Sequence, residues 1–199
     1  MYSQNDEEEV ILRYAQDLLP RRFLEIGAYD GITFSNTYAL YQQGWEGVYV
    51  EADPECFEKL IRNFPDGSRR RLINKCVGSY TGKVTFYVSN GMVSTTSKRH
   101  RDIWAGCQTP YYEVVLDMID FAELLKSAPG PYSFINIDVE GIDIDILRQI
   151  DPVPLETKLI CVECNYQEER QAYRDCLNSK GFKVVHETDE NLIGVYEAT

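Results

Sequence analysis

The chain contains no apolar run approaching the ~20 residues that cross a bilayer, so no membrane span is expected. It lacks a basic excess. Twenty Lys and Arg face 32 Asp and Glu, a net charge of −12, which repels nucleic-acid backbones and excludes general DNA or RNA binding. It lacks a cysteine framework: the six cysteines follow no disulfide spacing, and Cys76, Cys161 and Cys164 fall in apparent strands, as reduced core residues would. Cys161-x-x-Cys164 on a strand points its thiols to opposite faces, which excludes a shared disulfide or metal. The first residues, Met1 to Val10, are acidic and polar, unlike a signal peptide, so a cytoplasmic location is expected. Repeats and low-complexity linkers are missing too. At 199 residues the chain suits one domain spanning 1–199.

What is present is organised around Phe23-Leu24-Glu25-Ile26-Gly27-Ala28-Tyr29-Asp30-Gly31. Phe23 to Ile26 read as a buried strand, Gly27 and Gly31 bracket a turn, and a helix is expected over 34–43, stopped by Gly44. A strand, a glycine turn and a helix start form a nucleotide cradle. A dinucleotide fingerprint needs glycine two residues after the first, where backbone meets pyrophosphate. Tyr29 stands there. The pattern Glu-x-Gly-x-x-x-Gly, with an acid on the strand, suits a ligand with a cationic amino-acid end, such as S-adenosylmethionine (SAM).

Strands and helices then alternate. An amphipathic helix is expected over 5–19, before Pro20. Val48 to Val50 form a strand ending on Glu51, and Asp53-Pro54 starts a helix whose core side is Phe57, Leu60, Ile61 and Phe64. Glu51 lies 20 residues after Gly31 at a strand end, where an acid can accept ribose hydroxyls. A strand over 72–77 places Cys76 and Val77 beside an adenine. Further strands are expected over 83–89, 112–116, 134–138 and 159–163, and helices over 118–127, 142–150 and 168–179. The last strands, 182–186 and 192–197, are joined by a short turn and therefore antiparallel. Residues 90–110 read as a long irregular stretch, and loops beyond ~15 residues are commonly functional, so a substrate lid is expected there. The order predicts an α/β, doubly wound, mostly parallel sheet with ligands at the strands' carboxyl ends. Those ends carry Glu25, Glu51, Asp138 and Glu163.

Several stretches together resemble the FkbM family of SAM-dependent methyltransferases. They are the glycine turn, Phe34-Ser35-Asn36-Thr37, Gly44-Trp45-Glu46-Gly47, Glu51-Ala52-Asp53-Pro54, Ile137-Asp138-Val139-Glu140-Gly141 and Val162-Glu163. Tyr2 to Glu7 match as well. The resemblance implies a class I methyltransferase fold of seven strands, the last antiparallel, and O-methylation of a sugar or natural-product hydroxyl. Tyr29 departs from the asparagine often found there.

On this reading the cofactor is held by Glu25, Gly27, Asp30, Gly31, Ser35, Asn36, Glu51, Ala52, Cys76, Val77 and Asp138. The hydroxyl needs a base, for which Asp138 ranks first, then Glu140, Glu163 and His100. A helix-terminal acid is an equal reading of Glu140, and His186 is better read as structural. Asp138, Glu163 and Asn165 form an oxygen-only donor set that would suit Mg. Arg99 and Arg101 beside Trp104 could clamp an anionic sugar, or merely form a solvated basic surface. The alternative function is a non-catalytic SAM-binding or regulatory module. A nicotinamide oxidoreductase is disfavoured by Tyr29.

Overall fold

A computed structural model describes residues 1–65, 69–89 and 91–197. In chain order the elements are α1 (Glu7–Ala15), β1 (Arg22–Ile26), α2 (Tyr38–Gln42), β2 (Glu46–Glu51), α3 (Pro54–Asn63), β3 (Arg70–Asn74), β4 (Cys76–Val77), β5 (Gly82–Ser89) and α4 (Lys98–Gly106). Then follow β6 (Tyr111–Ile119), α5 (Phe121–Ser127), β7 (Phe134–Ile137), α6 (Asp143–Leu147), α7 (Pro152–Leu155), β8 (Leu159–Glu163), α8 (Arg170–Ser179), β9 (Phe182–Glu187) and β10 (Asn191–Tyr196).

Seven strands form one sheet in the order β3-β2-β1-β7-β8-β10-β9. β1, β2, β3, β7 and β8 run parallel, and β10 is antiparallel to both its neighbours. This is the α/β class I methyltransferase arrangement. β7 and β8 are buried along their whole length, as uninterrupted apolar runs covered on both faces must be. One core layer gathers Leu24, Val48, Ile135, Ile160, Leu147 and Leu177; the opposite layer gathers Ile11, Phe23, Trp45, Tyr49, Phe64 and Phe134. β4, β6 and β5 form a separate three-stranded sheet over Phe86, Val88 and Met118. No described helix is long and apolar enough to cross a membrane. All six cysteines are free.

Four boundaries differ from expectation, each for a local reason. The second helix begins at Tyr38, not Phe34, because Ser35 Oγ accepts the Thr37 and Tyr38 amides and Phe34 sits at φ 53°. The expected 72–77 strand breaks at Lys75, whose amide bonds Glu51 O, so β3 stays in the main sheet while β4 joins β6. β6 runs on to Ile119 before Asp120 caps α5 by accepting the Glu123 amide. Residues 90–110 are not irregular throughout. Ser97 accepts the His100 amide and opens helix α4, in which only His100 is buried. Such a helix carries no apolar stripe for periodicity to detect. Asn90, the first residue of the expected lid, lies outside the described residues.

The sheet's tightest point is Gly27. At φ +89°, a Cβ there would lie 1.5 Å from the Asp138 carbonyl oxygen. Gly27→Ala therefore combines a left-handed strain with a backbone collision and is expected to destabilise by more than ~3 kcal/mol. Urea denaturation checks this, and a loss below about 1 kcal/mol would contradict the packing.

Candidate functional site

The sheet's carboxyl ends frame an open cleft of about 980 Å³, counting its mouth. Gly27 and Ala28 donate amide hydrogens to Val50 O, locking the turn to β2, and Asp138 N donates to Ile26 O, locking the end of β7 to β1. Glu25 sits beneath, accepting from Thr37 Oγ1 at 2.8 Å and Ser35 Oγ at 3.4 Å. Burial pushes its carboxyl up to about 8. Glu51, at the end of β2, accepts the Tyr29 amide on one oxygen and the Asp53 amide on the other, both at 2.7 Å. Burial raises it to about 7 despite those bonds. Asp53 in turn caps α3 and accepts from Ser94 Oγ at 3.2 Å.

Of the expected cofactor residues, Glu25, Gly27, Ser35, Glu51, Ala52, Cys76, Val77 and Asp138 line the cleft. Asp30, Gly31 and Asn36 stand behind it. Asp30 accepts the Ile32 and Thr33 amides, Gly31 packs against Phe64 and Leu60, and Asn36 donates to Asn136 Oδ1. They shape the turn from outside. The cleft also recruits residues that the sequence does not single out one by one, though Gln4 lies in a stretch carrying the resemblance and residues 92–96 lie in the expected lid. Gln4 reaches it from the N-terminal segment, Phe86 from β5, and Met92, Ser94 and Thr96 from the approach to α4.

Where β7 and β8 end, one oxygen each of Asp138, Glu140 and Glu163 lies within 4.8 Å of the others. Asp143 builds this cluster from below. Its carboxylate accepts the Val139 and Gly141 amides at 2.7 and 2.9 Å, holding a turn in which Glu140 adopts φ 62°. Asn165 donates to Glu163 Oε2 at 2.7 Å, so its amide nitrogen orients Glu163. Burial raises Asp138 to about 7 and holds Glu140 and Glu163 well above the ordinary range.

α4 closes over that turn. Thr95 Oγ1 donates to Glu140 O at 2.6 Å, and His100 packs on Gly141. His100 is 1% exposed and does not line the cleft. Its Nδ1 lies 3.2 Å from Tyr166 Oη, and its Nε2 lies 2.8 Å from Glu140 Oε2, off the line of a hydrogen bond. Burial lowers His100 to about 4. His186 lies elsewhere, 2.8 Å from Asp6 Oδ1. Arg99, Arg101 and Trp104 do not line the cleft. Arg99 pairs with Glu168 and Glu169 and stacks 3.7 Å from the Tyr166 ring centroid. Arg101 pairs with Asp102 and covers Tyr87.

The described geometry agrees with what comparison finds. Residues 25–185 match the methyltransferase FkbM domain family, and the chain belongs to that family. It is a SAM-dependent methyltransferase. No curated protein sequence matches it. Among solved structures it is similar to a ribosomal protein L11 methylase from Lactobacillus delbrueckii subsp. bulgaricus (TM-score 0.51, 12% identity, 96% of this chain and 77% of that one). It is also similar to a putative O-methyltransferase from Klebsiella pneumoniae (TM-score 0.51, 14% identity, 98% and 81%). A third is a Methanococcus jannaschii fibrillarin pre-rRNA processing protein (TM-score 0.51, 13% identity, 98% and 77%). At these identities the likeness is one of fold.

Glu51 ties the site to pH. Its carboxyl ionises near 4.5 in an open chain but only near 7 when folded. Between those values the folded state binds the extra proton, so stability falls as pH rises through this window. Thermal melts of cofactor-free protein are expected to show Tm falling from about pH 5 to about pH 7.5. Glu51→Gln should make that slope shallower, Glu25 and Asp138 supplying the remainder, and a slope left unchanged would contradict the assignment.

Proposed function

We propose that the chain moves a methyl group from SAM to a hydroxyl oxygen of a neutral sugar or natural-product acceptor. The observation that carries this reading is one cleft in which the glycine turn and Glu51 adjoin the carboxylates of Asp138, Glu140 and Glu163. The cleft suits SAM by donor chemistry. Glu25, Glu51, Asp53 and Asp138 are acceptors by chemistry, and Lys75 is the single cation among the lining residues. That lining matches ribose hydroxyls and an ammonium, and it offers little to a pyrophosphate. Glu51 would hold the ribose, the turn from Gly27 would hold the methionine end, and Cys76 and Val77 would border the adenine. Bound there, the cofactor supplies an electrophilic methyl group on a sulfonium.

The chain's own work is orientation, exclusion of water and proton acceptance. Asp138, fixed through its backbone to Ile26 and Gly27, is the foremost proton acceptor for the hydroxyl, with Glu140 and Glu163 beside it. The acceptor O–H bond breaks, and its proton passes to a carboxylate oxygen of this set. The same carboxylates disfavour an anionic acceptor, and the two arginines that would have clamped one are engaged with acidic residues.

Calorimetry should show SAM and S-adenosylhomocysteine binding, with NAD not binding. Binding of NAD alone would overturn the reading. Glu51→Ala removes hydrogen bonds to a charged group, worth ~1.5–3 kcal/mol, so S-adenosylhomocysteine should bind ~10–100-fold more weakly. With radiolabelled SAM and a panel of neutral glycosides and polyols, Asp138→Asn should lower kcat by ~10²–10⁴-fold. Methyl transfer to nitrogen in place of oxygen would refute the O-specificity.

A further inference from the structure

We propose that Gln4 contacts the substrate: its carboxamide, held at the rim of the cleft by Glu190, hydrogen-bonds a hydroxyl of a neutral polyhydroxylated acceptor such as a glycoside. The role rests on the O-methyltransferase reading and names a residue that selects the acceptor. Two observations meet here. Gln4 lines the cleft although it stands on a segment with neither helix nor strand. That segment is fastened by a buried carboxylate, Glu7, which is 0% exposed.

Residues 2–6 form a strap ahead of α1. A segment of this kind keeps one position only where its groups are tied down. At one end Ser3 makes a parallel bridge to Phe34. At the other the strap grips the turn before β10: Gln4 Nε2 donates to Glu190 Oε1 at 2.7 Å, and Asn5 Nδ2 donates to Glu190 Oε2 at 3.4 Å. Glu7 locks the two together. Its carboxylate accepts from the Asn5 amide at 2.8 Å, from Thr188 Oγ1 at 2.7 Å and from Asn191 Nδ2 at 3.1 Å. Asn191 pairs with Glu163 in the sheet, and Glu190 O accepts the Cys164 amide. The strap, the turn before β10 and the end of β8 are thus one hydrogen-bonded unit.

Position assigns the part of the ligand that Gln4 meets. In the sheet, β2 and β1, which carry Glu51 and the glycine turn, lie on one side of β7, and β8 and β10 lie on the other. Glu190 adjoins β8 and β10, so it holds Gln4 on the Glu163 side of the cleft, away from Glu51. Chemistry assigns the class. A carboxylate only accepts, so Glu190 takes one of the two amide hydrogens of Gln4. The second N–H and Oε1 meet no other hydrogen-bond partner among the described residues. One donor beside one acceptor matches a hydroxyl, which both gives and takes a hydrogen bond, or two adjacent hydroxyls. The carboxylate behind the amide disfavours an anion. Glu190 is therefore a positioning residue, acting through Gln4.

The test uses the full chain saturated with S-adenosylhomocysteine. A panel of methyl glycopyranosides and myo-inositol is titrated in, and binding is followed by saturation-transfer difference NMR. At least one member is expected to bind saturably at millimolar concentration. Gln4→Ala should weaken it ~3–10-fold, as loss of one or two neutral hydrogen bonds does. The same variant should leave S-adenosylhomocysteine affinity unchanged by calorimetry, and the exposed control Gln16→Ala should change neither. Glu190→Ala should match Gln4→Ala, and the double variant should be no weaker than either, because the two act as one unit. Circular dichroism identifies any variant that fails to fold; should Gln4→Ala fail, Glu190→Ala decides by the same measures. No saturable binding by any panel member, glycoside affinity unchanged in the folded variants, additive losses in the double variant, or a loss of S-adenosylhomocysteine affinity in place of glycoside affinity would overturn the proposal. The titrations are repeated without S-adenosylhomocysteine. Gln4-dependent glycoside binding by protein that does not bind S-adenosylhomocysteine sinks the cofactor reading alone. S-adenosylhomocysteine binding without Gln4-dependent glycoside binding sinks the subsite alone.

Discussion

The contact between Gly27 and the Asp138 carbonyl governs this structure. β1 and β7 are neighbours, and their carboxyl ends converge until no side chain fits between them. The approach does two things at once. It frees the backbone of the turn to leave β1 at a positive φ, and it fixes Asp138 against the mouth of the turn. Gly27 is therefore not only a flexible residue in a cofactor loop. It couples the glycine turn to the end of β7, because the same backbone approach positions both.

Around that contact the protein buries acids. Burying a carboxylate without a cation is unfavourable, and the usual outcome is a raised pKa. Glu25, Glu51 and Asp138 all show it. The supporting residues are uncharged partners: hydroxyls for Glu25, backbone amides for Glu51 and Asp143, an amide side chain for Glu163. These groups orient the acids without neutralising them. A site prepared in this way gains most from a ligand carrying positive charge, and a sulfonium with an ammonium is such a ligand. The same logic explains why nearby arginines on α4 are tied down elsewhere. A guanidinium swinging into the cluster would satisfy the acids internally and close the site to its ligands.

Much of this was legible in the sequence, and the limits have physical causes. Buried strands such as Phe134 to Ile137 are short apolar runs between turn residues, and their alternation with helices implied the parallel sheet. The place of Glu51 and Asp138 on the cleft was legible because both stand at the carboxyl ends of buried strands, where such sheets gather their ligands. Helix α4 was not legible, since it is held by the Ser97 cap and one buried histidine with no apolar face. The role of Asp143 was hidden because it acts through backbone amides, which carry no sequence signal. Phe86 reaches the cleft from the second sheet and was invisible for that reason, whereas Gln4 and Met92 lie in stretches the sequence had singled out, one by resemblance and one as a lid.

Tyr29 shows how a departure from pattern can be absorbed. A non-glycine residue at φ 51° carries strain of about 1 kcal/mol or more, which surrounding contacts must offset. Here they do so from both ends of the residue. The Tyr29 amide donates to Glu51, and Lys59 both donates to Tyr29 Oη at 3.2 Å and sits 4.7 Å from its ring centroid. Tyr29 lines the cleft beside Glu51, where a dinucleotide cradle would have glycine. A side chain in that place costs a pyrophosphate site its close approach and costs a ribose nothing. The residue least expected in the turn is thus the one that narrows which nucleotide the turn can accept.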